Sequence, residues 1–245
     1  MSDSTDRVLS ILEFLAAAPE RPRVLREFSS ELSLPTASCS RILNSLVRRG
    51  YAEKNGSRGG YRLGPMAYVL SSGAPYMRDV SSAAGPLVRG CAEKVEAHVL
   101  LAAKRGGKVY KIAEFDGNLE VRVRSRVFEE LYSTATGRLL LAFAGGNEEE
   151  DYVNSRGLPG KAWEGCGSYG EFKRKLAEIR QRGFAEKKTE TLAAFAYPVG
   201  YGGEFLGLGC SMIAPGFGGE KKKRIMTCVR KTAEAIEKKL ERRVQ

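Results

Sequence analysis

Apolar residues in the first sixty positions recur at helical spacing, and further along the chain they alternate as strands do. From Asp6, Val8, Ile11, Leu12 and Leu15 keep the i, i+3, i+4, i+7 rhythm of an amphipathic helix, with Asp6 fitting as its cap. Pro19-Glu20-Arg21-Pro22 ends that helix, and Leu25, Phe28 and Leu32 mark one face of a second. Ser33-Leu34-Pro35 is a tight break. Pro35 suits the start of a third helix, because its fixed φ is already helical and its missing N–H costs nothing there. Cys39, Leu43 and Leu46 form the inward stripe of this third helix, with Ile42 beside it, and Gly50 stops it. Tyr51–Lys54 and Tyr61–Leu63 read as two short strands joined by the turn Asn55-Gly56-Ser57-Arg58-Gly59-Gly60. Three helices followed by a hairpin with a cationic tip predict a winged helix-turn-helix over residues 1–64.

The outward face of the third helix carries the chemistry. It presents Thr36, Ser38, Ser40, Arg41, Asn44 and Arg48 and no acid, whereas a merely solvated helix usually mixes Glu with Lys. Small residues at the helix start let the backbone approach DNA, and the N–H groups there attract phosphate. Arg41 and Asn44 are long enough to reach base edges, and Arg58 on the wing can reach a neighbouring phosphate. The competing reading is a helical domain used only for protein contacts.

Gly64-Pro65 restarts the chain as a short apolar helix from Met66 to Leu70, and Ser71-Ser72-Gly73-Ala74-Pro75 breaks it. Residues 65–80 are therefore expected to link two domains. Beyond them a helix is predicted from about Gly85 to Glu96, then strands HVLLAAKR and KVYKIAEFDG joined at Gly106-Gly107. TATGRLLLAF and YGEFKRKLAEIRQRG read as helices, AFAYPVGY and EFLGLGCSMIAP as strands. A last helix carries Ile225, Val229, Ala233, Ile236 and Leu240 on one stripe. Clustered strands with flanking helices predict an α/β or α+β domain over residues 81–245.

Several polar groups in this half have two readings. Arg122, Arg124 and Arg126 alternate on one strand face, as an anion site or as a solvated, edge-protecting face. Glu148, Glu149, Glu150 and Asp151 read as a metal cluster or as the acidic first turn of a helix beginning near Asn147. The run Lys221-Lys222-Lys223-Arg224 reads as a DNA contact or as the solvated start of the terminal helix. Thr134-Ala135-Thr136-Gly137 is a hydroxyl-rich helix start whose N–H groups suit a carboxylate, although capping explains Thr134 equally well.

Composition narrows the classes. The chain has 245 residues, 42% hydrophobic and 28% charged, as an ordinary globular protein does. No apolar run approaches the roughly 18 residues of a membrane helix. MSDSTDRVLS shows no secretory signal, and five cysteines without a C-x-x-C pair suit free thiols, so a cytoplasmic protein is expected. Net charge is +11, which favours polyanionic partners. Residues 1–75 hold 10 Lys/Arg against 7 Asp/Glu and the remainder 30 against 22, so most of the excess lies outside the DNA-reading segment.

The segment SLPTASCSRILNSLVRRGYAEKNGSRGGYRLG resembles the recognition-helix and wing signature of the IclR family of transcription regulators. LYSTATGRLLLAF is similar to the family's P-L-H-x-T-A-x-G-K-A-L-L-A, LAEIRQRGFAEKKTE to its L-x-x-I-R-x-x-G-Y-A, and AFAYPV to its I-A-A-P-V. Ser33 stands in place of the family's usual Gly, Ala37-Ser38 where Ser-Thr is common, and Tyr132 where His is common. The resemblance implies a GAF-like effector domain, an antiparallel sheet flanked by helices with a small-molecule pocket, in a homodimer or homotetramer on duplex operators. It places the pocket at Thr134, Ala135, Thr136 and Gly137, with Lys187 where some members have an acid, Ala194 where some have Cys, and Ser211 on the last strand. About three residues of the family's loop are missing between Glu190 and Ala194. Lys187 in place of an acid implies a small organic acid or other anionic effector. The alternative is a C-terminal domain that only dimerises.

Catalysis is not expected. His98 is the single histidine, so a zinc site with two histidines is impossible and a Ser-His-Asp site would rest on that residue alone. Cys166 and Cys210 could serve a thiol-dependent GAF-like enzyme, but neither has a flanking signature for activation. No cofactor or metal is implied. An RNP pattern or zinc knuckle for RNA is absent from the sequence.

Overall fold

A computed structural model describes residues 3–19, 21–54, 59–71, 77–105, 107–117, 127–128, 130–145 and 147–244. The chain divides into two compact units, Met1–Pro75 and Tyr76–Gln245.

In the first unit, α1 (Ser4–Ala16), α2 (Leu25–Glu31) and α3 (Thr36–Arg48) precede the strands β1 (Ala52–Lys54) and β2 (Tyr61–Leu63), and α4 (Pro65–Ser71) follows. The apolar stripes read from the sequence meet in one core: Ile11, Leu15, Phe28, Cys39, Leu43 and Leu46 are all buried. Phe28 sits at its centre, edge-on to Phe14 at 5.3 Å and to Tyr61 at 6.1 Å between ring centroids. Burial of such a ring contributes roughly 1.5–3 kcal/mol. β1 and β2 pair antiparallel, Ala52 opposite Leu63. Arg23 widens the wing: its N–H donates to the Tyr61 carbonyl (2.8 Å) and its carbonyl accepts from the Tyr61 N–H (2.7 Å). Gly60 allows that approach, since a Cβ there would lie 2.6 Å from the Arg23 carbonyl oxygen.

The second unit runs α5 (Arg78–Val95), β3 (His98–Arg105), β4 (Lys108–Asp116), β5 (Val127–Phe128), α6 (Ala135–Ala142), α7 (Glu148–Arg156), a short 3-10 turn (Gly160–Ala162), α8 (Tyr169–Arg182), β6 (Ala185–Lys188), β7 (Leu192–Tyr201), β8 (Glu204–Ile213) and α9 (Gly219–Val244). Among the described residues the six strands form one antiparallel sheet in the order β5-β4-β3-β8-β7-β6. Alternate side chains go to opposite faces. Val99, Leu101, Phe195, Leu206 and Leu208 join α5 and α9 in one core, while Leu100, Ala102 and Ala196 join α6 and α8 in the other. The unit is thus a mixed α/β sandwich of helices around an antiparallel sheet, as expected.

Some boundaries differ from the sequence reading. α5 begins seven residues before Gly85 and runs through Pro86. A proline removes one helical hydrogen bond. The buried stripe Val80, Ala83, Ala84 and Val88 outweighs that loss. β6 had no strand signal, because Ala-Glu-Lys-Lys lacks β-branched residues. Glu148–Asp151 form the first turn of α7, the acidic helix start rather than a metal cluster, and no metal-binding group of His, Cys, Asp or Glu occurs among the described residues. Lys222 and Lys223 of the basic run pair with Glu186 (2.6 Å) and Glu220 (2.8 Å). Arg122, Arg124 and Arg126 lie outside the described residues.

Ser33, in the turn between α2 and α3, has φ of +51°, the left-handed region that L side chains enter at a cost. Ser33→Gly is expected to raise stability by about 0.5–1 kcal/mol, and Ser33→Val to lower it by about 1–2 kcal/mol. Thermal melts of the full chain check both; a melting temperature unmoved by either substitution contradicts the strain argument.

Candidate functional site

Helix α3 keeps its inward stripe so regularly that the opposite face is free. Arg41, Asn44 and Arg48 are exposed on one line, together with Ala37, which the sequence reading did not single out. Thr36 is exposed at the helix start, and Ser38 and Ser40 are half-buried flanks. No side chain caps α3: Pro35 holds the N-cap position, its carbonyl accepting from the N–H groups of Ser38 (2.9 Å) and Cys39 (3.0 Å). The two N–H groups before these face outward without a cap, a ready seat for a phosphate oxygen. Arg48 in the last turn complements the helix dipole while remaining exposed. Arg58 lies outside the described residues.

The second site is built where α6 crosses the sheet. On β8 the residues facing α6 are Gly207, Gly209 and Ser211, alternating with buried Leu206, Leu208 and Cys210. A Cβ at Gly207 would meet Thr136 Cγ2 at 3.0 Å, and one at Gly209 would land on Thr136 Oγ1. The helix therefore rests on bare backbone. Strand register then lines up Lys187, Ala194, Ser211, His98 and Asp116 as successive neighbours across β6, β7, β8, β3 and β4. A cavity of about 110 Å³ lies between Lys187, Ala194 and Ser211 of this row and the start of α6. Of the expected effector residues it brings together Thr134, Ala135, Thr136, Lys187, Ala194 and Ser211.

Gly137 is not among the lining residues. Its α-carbon packs against the Leu131 backbone, and its N–H donates to Thr134 Oγ1 at 3.0 Å. Thr134 is thus the N-cap of α6, and the N–H groups left for a ligand at this helix start are those of Ala135 and Thr136. Ser133, Leu100 and Leu192 also line the cavity and were missed. The signal for the closeness of α6 was the small-residue alternation Gly207, Gly209, Ser211.

Lys187 donates from Nζ to the Ser133 carbonyl. Burial pulls its ammonium below the usual lysine range, Arg138 adds to the effect, and Glu130 opposes it. Tyr132, where the family has His, does not offer a polar group to the cavity. Its hydroxyl donates to the Gly157 carbonyl at 2.7 Å, its ring packs on Tyr152 and Phe172, and burial pushes its pKa up. His98 is buried, with Nδ1 hydrogen-bonded to the Asp116 carboxylate, a structural contact within the sheet. Cys166 and Cys210 lie in the cores on opposite faces of the sheet, so they cannot form the thiol pair considered above; burial pushes both thiols up.

Fold and surface chemistry together define the class: a DNA-binding transcription regulator with a ligand-sensing unit. The model of the IclR helix-turn-helix domain matches residues 4–56, and that of the bacterial transcriptional regulator IclR C-terminal domain matches residues 75–238, well over half of the chain. The chain belongs to the IclR family of transcription regulators and carries that family's DNA-binding and effector-binding domains. It is a regulator rather than an enzyme. Among relatives, the HTH-type transcriptional regulator TtgV of Pseudomonas putida is 29% identical over 193 residues, 75% of this chain and 70% of that protein. KdgR of Dickeya chrysanthemi is 25% identical over 203 residues, 80% of this chain and 67% of that protein. The solved IclR transcriptional regulator of Alicyclobacillus acidocaldarius superposes with a TM-score of 0.74 at 24% identity, covering 98% of this chain and 99% of that one. An IclR homologue of Microbacterium hydrocarbonoxydans, solved in complex with 4-hydroxybenzoate, gives 0.72 at 20% identity, covering 98% and 99%. No described helix is long and apolar enough to cross a membrane.

Gly209→Ala is expected to lift α6 and lower stability by about 1–3 kcal/mol through overpacking. Gly218→Ala, with open space around the added methyl, should stay within about 0.5 kcal/mol of wild type. Equal melting temperatures for the two variants would contradict the close approach of α6 to β8.

Proposed function

We propose that α3 reads duplex operator DNA through Ala37, Arg41, Asn44 and Arg48, and that a small organic anion in the cavity beneath α6 sets the affinity for that DNA. The observation that carries the first part is the exposed, acid-free line Arg41–Asn44–Arg48, none of which is tied up in an ion pair among the described residues. Arg and Asn are the side chains whose donors match guanine and adenine edges in the major groove, and Thr36 and Ser38 stand at the helix start beside the uncapped N–H groups. Arg58 on the wing serves a neighbouring phosphate. The second part is supported by the convergence of Thr134, Thr136, Lys187 and Ser211 on one cavity, with Ala135 and Ala194 completing its wall. A fold neighbour's complex with 4-hydroxybenzoate, a carboxylate, supports an acid as ligand. The regulator works in the cytoplasm as a homodimer or homotetramer. Exposed Tyr68, Val69 and Leu70 on α4 support self-association.

Specific duplex binding should fall steeply with salt, because each neutralised phosphate releases counterions. Arg41→Ala and Asn44→Ala should each weaken operator binding by about 1–3 kcal/mol and relax discrimination against scrambled duplex, while Arg58→Ala weakens all sequences alike. Gel-shift titrations of duplex from the flanks of its own gene measure this; unchanged discrimination in both helix variants rules out the assigned reading face. Organic acids that bind the cavity should raise the melting temperature with concentration and shift DNA affinity reciprocally by about 1–3 kcal/mol. A screen in which no acid moves either quantity favours a domain that only dimerises.

A further inference from the structure

A second concavity, a cleft of about 620 Å³, opens beside the effector cavity and shares Ser133 and Lys187 with it. Its most buried charged side chain is Arg138, only 8% exposed. Arg138 projects from α6, and its guanidinium donates from Nε to the Tyr132 carbonyl (2.6 Å) and from one Nη to the Ala162 carbonyl (2.9 Å). The group lies 4.5 Å from the centre of the Trp163 ring. All three partners are neutral, and no carboxylate pairs with Arg138 among the described residues. A buried cation is expensive unless an opposite charge meets it. Burial accordingly pulls its pKa down to about 10. Six cationic side chains and four carboxylates line the cleft, and of the carboxylates Glu186 is already held by Lys222 at 2.6 Å. The local balance is positive, and Arg138, its most buried cation, acts electrostatically on Lys187 of the shared wall.

We propose that this cleft seats the acidic end of the effector, a carboxylate or phosphate gripped by Arg138 and Lys187, while its apolar part enters the cavity beneath α6. The inference deepens the sensing role proposed above and rests on it for the apolar end alone. Guanidinium and ammonium would share the anion as charge-assisted hydrogen bonds, with Lys187 turning from the Ser133 carbonyl to the ligand. The effector class is thus an amphipathic acid longer than the cavity itself. An acid small enough to vanish beneath α6 would leave Arg138 unneutralised.

The protein carries its own reporter, since Trp163 is its only tryptophan and lies against Arg138. Full-length protein is titrated with straight-chain carboxylates from acetate to octanoate, with the matching alcohols, and with inorganic phosphate, following Trp163 emission. Carboxylates should perturb the emission saturably, and alcohols of equal length should bind about 10- to 100-fold more weakly. Arg138→Gln should abolish that preference and Arg138→Lys restore part of it. Alcohols binding as tightly as acids, or a preference that survives Arg138→Gln, overturns the proposal. If Arg138→Gln fails to fold in a melt, Lys187→Gln must reduce the preference instead, and an unchanged preference there overturns it equally. Carboxylates should also bind more tightly as their chains lengthen, and Ala194→Leu, which fills the cavity, should remove that gain while phosphate still perturbs Trp163. A chain-length gain that survives Ala194→Leu refutes the cavity as the apolar subsite and leaves the anion seat standing.

Discussion

Helix α6 can lie against the sheet because Gly207 and Gly209 of β8 place no side chain beneath it, and most of the sensing unit follows from that contact. With Gly207 and Gly209 bare, Thr136 descends to the strand backbone, and the start of the helix comes to rest over the neighbouring strands. The row Lys187, Ala194, Ser211 is then within reach of the same helix turn that Thr134 caps. Small residues on one strand thus set the height of the helix, and the height leaves a cavity where larger side chains would have met. The opposite face shows what happens without that device. There Leu206, Leu208 and Phe195 fill the space under α5 and α9 with solid core.

The same helix carries a charge into that layer. Arg138 follows directly after Gly137, so the residue that lets α6 pack on Leu131 also fixes where the guanidinium goes. Two carbonyls and an indole face make its burial tolerable without removing its charge. Lys187 feels it across the shared wall, and both ammonium and guanidinium are held below their ordinary pKa ranges by burial. Each cation makes the other costlier to bury, and the anion proposed above would relieve both.

Much of this was legible in the sequence, and the exceptions have physical causes. The three helices and wing of the first unit could be read because each has a clean apolar stripe, and the acid-free face of α3 because exposed acids are conspicuous when missing. Ser33 shows the limit of local reading. It stands where the family resemblance expects a glycine, and it adopts the left-handed turn all the same. β6 was invisible because its residues have no strand propensity and form a strand only by pairing with β7. Lys187 therefore entered through resemblance, not pattern. Ser133, Leu100 and Arg138 were missed since only the tertiary contact of α6 with the sheet brings them to the site. Gly137 was chosen for its N–H, but that N–H is spent on Thr134.

Net charge does not separate the two tasks of the chain: residues 1–75 carry an excess of three cations and residues 76–245 an excess of eight, nearly the same per residue. On the reading proposed above, discrimination between DNA sequences rests on a few side chains held in one line by the core of that unit. That makes binding sensitive to geometry, because a small displacement of α3 moves Arg41, Asn44 and Arg48 together. In the homodimer or homotetramer proposed above, a second copy of α3 on the operator would make the spacing between the two helices part of the same geometry. Regulation by a ligand then needs no direct contact with DNA. It needs only a sensing unit whose occupied and empty states favour different spacings, and the energy available for that choice is the ligand's differential affinity for them.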